Sequence, residues 1–453
     1  MKKTILLSLV LLAFFSCTKT TKKTTAETNS LNVKAVAQGI DQPLPNAKKE
    51  PYRFTINADE DNEVMTETGS KITIPKGSLV DANGKTVSGK VELEFEEFHD
   101  ASDIILSGIP MNITTEDGEM GSFESAGMFN ISATHEGNEV RIGNNKTVEV
   151  EMASFREEAD FNFYEFDKKE MKWADKGAAG APVVNEDKVL LEKSIAPEPT
   201  KPFEIKKATS SDLVFELAVD KKRNPEFSSF DNVMWKMAEG SKSNSELFAT
   251  TIKNPELQCI DNDKSIFRLT GRADDKAIDA KVQPVLFGKN WKKAQTAFRA
   301  KLTNYNAKVE EINEQRRQAD KMASVRRGME LSNFGTYNFD KLYHLKKKKQ
   351  FNALFFIPVL KKVFKKGWLI QGKEKIAIPY SRSGHYKFTY DPSATNTVIT
   401  FDRDGNLYEF KGTDFHQITN SEISAEDEFT FRMRETGYKV TTEGDLKAYL
   451  ATL

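Results

Sequence analysis

The feature that most constrains the fold is a series of short segments in which apolar and polar residues alternate, separated by tight-turn signals. The clearest is KVELEFEEF at residues 90–98. Its apolar positions are Val91, Leu93 and Phe95, and its acidic positions are Glu92, Glu94 and Glu96. Such alternation is typical of a strand with one buried and one solvated face. Asn83-Gly84, just before this segment, is a strong hairpin signal.

Similar segments recur along most of the chain and set its predicted domain organisation. Many short strands at this spacing predict a β-sandwich over residues 51–175, with a turn at His135-Glu136-Gly137-Asn138. Residues 176–210 are rich in Ala, Pro and Gly and predict a linker. Strand-like segments resume in a second β-domain at 211–287 and in a C-terminal β-rich domain at 333–453. In that last domain we predict a hairpin at Asp404-Gly405 and a final helix capped by Thr442 and Asp445.

One segment, residues 288–332, has a helical rather than a strand pattern. Between Trp291 and Met322 apolar residues recur at steps of three or four, and no Pro or Gly interrupts before Gly328. This predicts a helix at about 291–329, roughly 38 residues and about 57 Å long. Arg316 interrupts the apolar seam, which disfavours a self-standing coiled coil. The helix packs either on the chain's own β-domains or on a partner, and the oligomeric state stays open. The predicted fold class is mainly β, with two or three β-sandwich-like domains and one long helix.

The N-terminus, MKKTILLSLVLLAFFSC, has two lysines, an apolar run of about a dozen residues, and then Ser16 and Cys17. The run suits a secretory signal but is short of the roughly 20 residues that span a membrane. FFSC resembles a bacterial lipobox, in which the cysteine thiol is lipidated. This resemblance implies that residues 1–17 are a lipoprotein signal peptide and that Cys17 carries the lipid, with palmitate among its chains. The alternative is an incidental cysteine beside an ordinary cleavage site.

The residues after Cys17 are polar, basic and rich in threonine, which predicts a disordered tether over 18–50 with a reach of about 30 Å. Several surface-exported lipoproteins of the Bacteroidota carry an acidic cluster at this place, whereas this chain carries lysines. The comparison implies anchoring in the outer membrane on the periplasmic side rather than at the cell surface.

Two further resemblances concern the folded part. SKITIPKGSLVDANGKTVSGKVELEF is similar to the β-sandwich module of zonula-occludens and netrin-receptor proteins, which implies a sandwich over residues 70–150. EEFHDASDIILSGIPM, FESAGMFNISAT, VQPVLFGKNWKKAQTAF and NFGTYNFDKL resemble uncharacterised lipoproteins of the Bacteroidota, which have no known activity. Some relatives of the sandwich cleave themselves at His-Phe-Ser. Self-cleavage is not implied here, because none of the five histidines (His99, His135, His344, His385, His416) precedes Phe-Ser.

Charge and cysteine content exclude several classes of protein. The chain has 66 Lys and Arg against 67 Asp and Glu, and its net charge of -1 gives no basis for nucleic-acid binding. If Cys17 carries lipid, Cys259 has no intramolecular partner, so we predict no disulfide. Cys259 alternates with Leu257 as in a strand, which predicts a buried structural thiol.

A lysine-rich stretch is the strongest local charge feature. Eleven lysines lie between Lys341 and Lys375, against one acid, Glu374. The candidate surface for a protein partner or lipid comprises Lys346, Lys347, Lys348, Lys349, Lys361, Lys362, Lys365 and Lys366. Each lysine near an anionic membrane contributes about 1 kcal/mol of binding energy. The alternative is a hairpin with a solvated basic tip.

No catalytic motif is present in the sequence. G-x-S-x-G, H-E-x-x-H, the P-loop and G-x-G-x-x-G are all missing, so we assign no catalytic residue, metal ligand or cofactor. Residues 57–63 offer alternating oxygens to calcium but lack the glycine and later glutamate of a calcium loop. The glutamates of residues 92–96 would need a facing carboxylate to act in a glycosidase.

These observations favour a non-enzymatic binding or scaffold lipoprotein of the cell envelope, attached to the membrane by its N-terminal lipid and serving an envelope protein partner. The alternative is an envelope hydrolase that acts on glycan or peptide through carboxylates brought together from distant strands.

Overall fold

The structure is a computed structural model that describes residues 42–453 apart from 115–119, 229, 242–244, 249, 275, 344–348, 374–375, 382–386, 420–422 and 425. Several predictions therefore lie outside the described residues: the lipidation of Cys17, most of the tether, and the positions of Lys346, Lys347 and Lys348.

The predicted fold class, mainly β with one long helix, is confirmed. The first part of the chain contains β1 (Tyr52–Asn57), β2 (Asn62–Met65), β3 (Lys71–Ile74), β4 (Leu79–Val80), β5 (Lys90–Phe98), α1 (Ala101–Ser107), β6 (Asn112–Thr114), β7 (Met120–His135), β8 (Asn138–Ile142), β9 (Val148–Ser154), β10 (Asn162–Asp167), β11 (Lys172–Ala178) and β12 (Val183–Val184). The middle part contains α2 (Glu186–Ser194), β13 (Lys206–Lys207), β14 (Val214–Glu216), β15 (Met234–Met237), β16 (Ile252–Asp261), β17 (Ile266–Ala273), β18 (Lys276–Leu286) and α3 (Gly288–Lys321). The last part contains β19 (Val325–Leu331), β20 (Gly335–Tyr343), β21 (Lys349–Ile357), β22 (Lys362–Phe364), β23 (Lys366–Gln371), β24 (Ile376–Ser381), β25 (Phe388–Tyr390), β26 (Asn396–Phe401), β27 (Asn406–Lys411), α4 (His416–Thr419), β28 (Glu428–Arg432), β29 (Arg434–Lys439) and α5 (Glu443–Ala451).

The first β-domain consists of two sheets packed face to face. One has the strand order β1-β5-β7-β20-β10-β11, and the other has the order β12-β19-β9-β3-β2. Their facing side chains form a single apolar core. The predicted alternation in β5 is confirmed, because Val91, Leu93 and Phe95 are fully buried in this core while Glu92 and Glu94 are exposed. The predicted turn at residues 135–138 joins β7 to β8.

Two strands that follow the long helix belong to this first sandwich. β19 pairs with β9, and β20 lies between β7 and β10. Residues 325–329, which we expected in the helix, are therefore strand. Residues 335–343, which the sequence places in the C-terminal domain, lie in the middle of the first sheet. Alternation along a strand identifies its buried face but not its neighbours, so a return from a distant part of the chain has no local signal.

The segment between β12 and β19 is an insertion into the sandwich. It carries its own sheet, β14-β15-β18-β17-β16, with a core around the fully buried Trp235. The two ends of the insertion are held together by Asn185, whose backbone N–H donates to Ser324 O (2.9 Å) and whose side-chain amide donates to Ala323 O (2.9 Å). Asn185 is fully buried, so these bonds are shielded from water.

Helix α3 links the inserted sheet to the sandwich. It has 34 residues and is about 51 Å long, somewhat shorter than predicted. Ala294, Ile312 and Ala319 are buried on its seam, α2 packs alongside it, and the Tyr305 hydroxyl donates to Glu198 (3.2 Å) in the segment after α2. These contacts support packing on the chain's own elements, one of the two predicted possibilities.

The C-terminal domain pairs β22-β21-β25, joined by β28, and β24-β23-β26-β27-β29. The predicted hairpin joins β26 to β27. Its Gly405 has φ +83°, and a Cβ there would collide with the Val440 carbonyl, so only glycine fits. The predicted helix start is also confirmed, because Thr442 and Asp445 form a reciprocal capping box at α5.

The prediction of a buried Cys259 is wrong. Cys259 is exposed on β16, the edge strand of the inserted sheet, where two register shifts interrupt the pairing with β17. Its thiol donates to Asn262 Oδ1 (2.8 Å). Alternation in an edge strand does not ensure burial, because bulges twist the strand away from the packed face. Among the described residues, no helix has both the length and the apolar character needed to cross a membrane.

Candidate binding cleft

A cleft of about 300 Å³ lies where the first sandwich meets the C-terminal domain. Its walls come from the junction of β5 and α1, from β7, from the loop after β9, and from β24 and α5. The apolar part of the wall comprises Ile104, Met111, Phe123, Phe155, Ile376 and Leu450. The polar groups that reach it comprise His99, Asp100, Glu124, Ser125, Arg156 and Lys447. Helices α1 and α5 and strands of the C-terminal domain share one apolar core beside the cleft.

A β-bulge shapes one wall. In the pairing of β7 with β20, Gly127 lies opposite Phe339 and Ser125 lies opposite Asp340, which leaves Ala126 as the extra residue. Gly127 has φ +139° there, and a Cβ would meet the Met152 side chain at 2.6 Å. The Gly127 N–H donates to Ser125 Oγ (3.1 Å), which fixes the local turn. Bulges redirect side chains at functional sites, and this one presents Ser125 and Ala126 to the cleft.

The loop that carries Phe155 and Arg156 is held by a buried arginine from β19. Arg327 is 1 % exposed, and its guanidinium donates to Ser154 Oγ (3.2 Å), Arg156 O (2.9 Å) and Glu158 O (2.6 Å). It also lies over the Phe161 ring, 4.7 Å from the centroid. Burial lowers the pKa of Arg327, but a guanidinium stays charged in proteins. The strand that returns after the insertion thus positions part of the cleft.

The Arg156 guanidinium is the principal cation at this wall. It donates to Glu124 Oε1 (2.5 Å) inside the cleft and to Glu158 Oε2 (3.1 Å) outside it. The hydrogen bond from Arg156 lowers the pKa of Glu158 to about 2, and the bonds to Glu158 and Glu124 raise the pKa of Arg156. Phe155 beside it lines the same wall and is 51 % exposed.

His99 places an imidazole edge at the cleft. Its ring packs edge-on against Phe155, with centroids 5.1 Å apart, and its Nε2 lies 3.5 Å from Glu97 Oε2. Nε2 is buried and faces the Glu97 carboxylate, which is itself buried. Burial raises the pKa of Glu97, but His99 and the hydroxyls of Ser70 and Thr68 outweigh that effect and lower it overall. His99 therefore contributes its ring contact with Phe155 to the cleft, while its Nε2 is directed at Glu97.

Acidic residues at the starts of α1 and α5 form the other rim. Asp100 caps α1 and accepts a hydrogen bond from the Lys447 ammonium (2.8 Å). Burial raises the pKa of Asp100, but the bonds from Lys447 and Ser102 lower it overall. The pKa of Asp103 is raised to about 7 by burial and by the charges of Asp100 and Glu443.

Carboxylate oxygens of Asp100, Asp103 and Glu443 lie within 4.8 Å of one another, the one such group of possible metal ligands in the described part of the chain. All three carboxylates lie at helix N-termini. Asp100 caps α1, and Asp103 and Glu443 lie in the first turns of α1 and α5, where a negative charge interacts favourably with the helix dipole. The Lys447 ammonium already supplies a cation to Asp100. We therefore assign no metal to them.

Behind the Ser125 wall lies a buried polar cluster. Ser125 Oγ donates to Asn338 Oδ1 (2.9 Å), and the Asn338 amide donates to Asp340. Asp340 is fully buried, and this burial raises its pKa well above the usual range.

The residues predicted as site candidates do not meet at this cleft. Lys361, Lys362, Lys365 and Lys366 are exposed around β22, whereas Lys349 begins β21 and donates to Ile418 O (2.9 Å). In residues 57–63, the loop that could offer oxygens to calcium, the carboxylates already accept hydrogen bonds from the protein. Asp59 accepts from the Ser88 hydroxyl and the Gly89 N–H, and Asp61 accepts from the Lys76 N–H. The outward glutamates of β5 pair with neighbouring side chains, for example Glu94 with Arg53 (2.9 Å).

The cleft residues themselves were missed by the sequence reasoning. A signal was nevertheless present, because the quoted segments EEFHDASDIILSGIPM and FESAGMFNISAT supply His99, Asp100, Phe123 and Glu124 to the same cleft.

Comparison with protein-family models, with curated proteins and with solved structures found no match to this chain.

Proposed function

We propose that this chain is a binding protein and that its ligand occupies the cleft between the first sandwich and the C-terminal domain. The observation that carries the proposal is the meeting of an apolar wall with a few convergent polar groups, the Arg156 guanidinium and the Lys447 ammonium among them, at a domain interface. Ligand sites in proteins are typically concave, mostly apolar and placed between domains, with volumes from about 300 Å³ upward.

The cleft chemistry indicates a small ligand with an apolar body and one polar or anionic group. Exposed Phe155 offers a ring face to the apolar body, and Arg156 and His99 lie beside it. Among the described residues that line the cleft, the carboxylates are Asp100 and Glu124, and each is paired with a cation. A binding role therefore has more support than the hydrolase alternative, which stays a prediction.

The probe 8-anilinonaphthalene-1-sulfonate, which joins apolar rings to an anionic sulfonate, tests this site. The chain beginning at Thr18 keeps every described element and is expected to bind one probe per molecule with increased fluorescence. Ile104→Trp would fill the cleft and Phe155→Ala would remove its aromatic wall, so each is expected to weaken binding at least tenfold. The matched control is Leu213→Trp, at a residue that is 77 % exposed and not part of the cleft wall. Equal affinity in Ile104→Trp and Leu213→Trp would place the ligand elsewhere.

We propose in addition that Cys17 carries a lipid and anchors the protein in the outer membrane on its periplasmic side. The lipobox-like FFSC and the basic residues that follow it support this assignment. Cells grown with an alkyne-labelled palmitate are expected to label the wild-type chain and not Cys17→Ser, and only the wild type should stay with the membrane fraction after a wash in 500 mM salt. Digestion by protease added to intact cells would contradict the periplasmic orientation.

An envelope protein partner remains part of the proposal, with the exposed side of α3 as a candidate contact surface. In-cell crosslinking followed by mass spectrometry is expected to recover a reproducible partner. Recovery of the chain alone would leave the small-ligand role as the function to pursue.

A further inference from the structure

The hairpin formed by β21 and β22 projects a basic tip with exposed apolar side chains. β22 pairs antiparallel with the end of β21, with Ile357 opposite Lys362 and Phe355 opposite Phe364. Residues 358–361 form the turn, closed by a hydrogen bond from Lys361 N–H to Pro358 O (3.1 Å). Lys361, Lys362, Lys365 and Lys366 are all exposed.

Two valines at this tip are much more exposed than valine usually is in folded proteins. Val359 is 59 % exposed and Val363 is 52 % exposed. The neighbouring Phe355 and Ile357 are fully buried in the C-terminal core, so the hairpin has a well-anchored inner face and an apolar outer tip. Its geometry is therefore fixed by packing of the inner face, while more than half of each valine side chain is exposed.

The outer face continues this combination of apolar and basic groups. Val363 lies opposite Phe356 on β21, and Phe356 lies opposite Arg432 on β28. Side chains directly opposite in neighbouring strands point to the same face. The Arg432 guanidinium lies 5.6 Å from the centre of the half-buried Phe356 ring, and Arg432 is itself exposed.

No acid occurs in the sequence between Asp340 and Glu374, so the hairpin itself carries charge of a single sign. The fold also divides the predicted lysine set. Lys349 and the tip lysines lie at opposite ends of β21, about 26 Å apart at 3.3 Å per residue. The tip is therefore a compact surface of its own rather than part of one long basic stretch.

We propose that this tip binds an anionic lipid bilayer, with Val359 and Val363 entering the interface and the lysines contacting headgroup phosphates. Lysine side chains place their charge in the headgroup region while apolar neighbours enter the acyl boundary, and this pairing distinguishes a membrane contact from simple solvation of charge. Each lysine near an anionic surface strengthens binding, and salt weakens it. The inference is independent of the cleft, since a membrane contact at the tip requires no ligand between the domains.

The test is sedimentation of the unlipidated chain beginning at Thr18 with vesicles of phosphatidylcholine alone or with one quarter phosphatidylglycerol. We expect binding to the anionic vesicles at 50 mM salt, at least tenfold weaker binding at 500 mM salt, and none to neutral vesicles. Equal sedimentation with both vesicle types would overturn the proposal, as would no sedimentation at low salt.

Variants locate the contact. Lys361→Gln, Lys362→Gln and Lys365→Gln combined are expected to weaken binding at least tenfold. The combination Lys292→Gln, Lys293→Gln and Lys308→Gln, which removes the same charge from exposed positions of α3, should change it less than twofold. Val359→Thr with Val363→Thr keeps the strand propensity and all charges, and should weaken binding severalfold. An equal effect of the two lysine sets would show that the attraction is not specific to the tip and would refute the assignment.

Discussion

Replacing Asp103 with asparagine is expected to stabilise the folded chain at neutral pH and to flatten its dependence on pH. In the fold the pKa of Asp103 rises from 3.8 to about 7, because the carboxyl is buried and lies near the charges of Asp100 and Glu443. A change of about three pKa units corresponds to about 4 kcal/mol, the upper limit of the cost of ionising this group in the folded chain.

The sign follows from where the proton is held. Between pH 4 and pH 7 the folded chain keeps the Asp103 proton while the unfolded chain releases it, so stability falls as pH rises through this range. The asparagine amide cannot ionise. Its oxygen can still accept a hydrogen bond from the backbone N–H of His99, which in the wild type donates to Asp103 Oδ2 (2.8 Å). Between pH 5 and pH 8 the wild type should therefore lose about 2 to 3 kcal/mol relative to Asp103→Asn.

The assay is urea unfolding of the chain beginning at Thr18, followed by tryptophan fluorescence at pH 5, 6, 7 and 8. The difference in free energy of unfolding between the two proteins isolates Asp103 from other titrating groups. Asp404→Asn, at an exposed carboxylate in the β26–β27 turn, is the matched control and should give a difference within about 0.5 kcal/mol. Parallel curves for wild type and Asp103→Asn from pH 5 to pH 8 would refute the reasoning.

Three further predictions test the supports of the fold and the correction at Cys259. Arg327→Met removes one hydrogen bond to the end of β9 and two to the loop after it, and should destabilise the chain by about 2 to 4 kcal/mol, with faster tryptic cleavage after Arg156. Unchanged cleavage would mean that the loop is held by other contacts. Asn185→Ala leaves Ala323 O buried without its donor, so unfolding in urea should show a loss of about 1 to 3 kcal/mol; a loss below 0.5 kcal/mol would contradict the proposed closure of the insertion. Cys259 should react with dithiobis(nitrobenzoate) in the native chain beginning at Thr18. The reaction should be faster as pH rises, because the thiolate is the reactive form and partial desolvation raises the pKa of this surface thiol. A thiol that reacts only in denaturant would contradict the exposed position.

Short-range features could be read from the sequence because their physics is local. The alternation in β5, the glycine turn at Asp404-Gly405 and the capping box at Thr442 each depend on a few neighbouring residues, and the structure confirms all three. The long helix was also recognisable, although its end was placed too late, since the arginines and Met329 that form β19 also fit a helical pattern.

The cleft could not be predicted in the same way, because its residues come from parts of the chain that are far apart. Arg327 follows an insertion of well over a hundred residues and yet fixes the loop that carries Phe155 and Arg156. The predicted lysines, by contrast, are close in sequence but separated by the length of β21. At the cleft, residues far apart in sequence are close in space, and in the predicted lysine set, residues close in sequence are far apart in space.

The sequence by itself determined the β-rich class, the turns, the helix and the basic hairpin, because periodicity, glycine conformation and charge act within a few residues. Only the tertiary structure decided that β19 and β20 return to the first sandwich, that Cys259 is exposed, and that His99, Arg156 and Lys447 surround one cleft. Strand pairing and domain packing are chosen by the burial of whole faces against one another, and that choice depends on every strand at once.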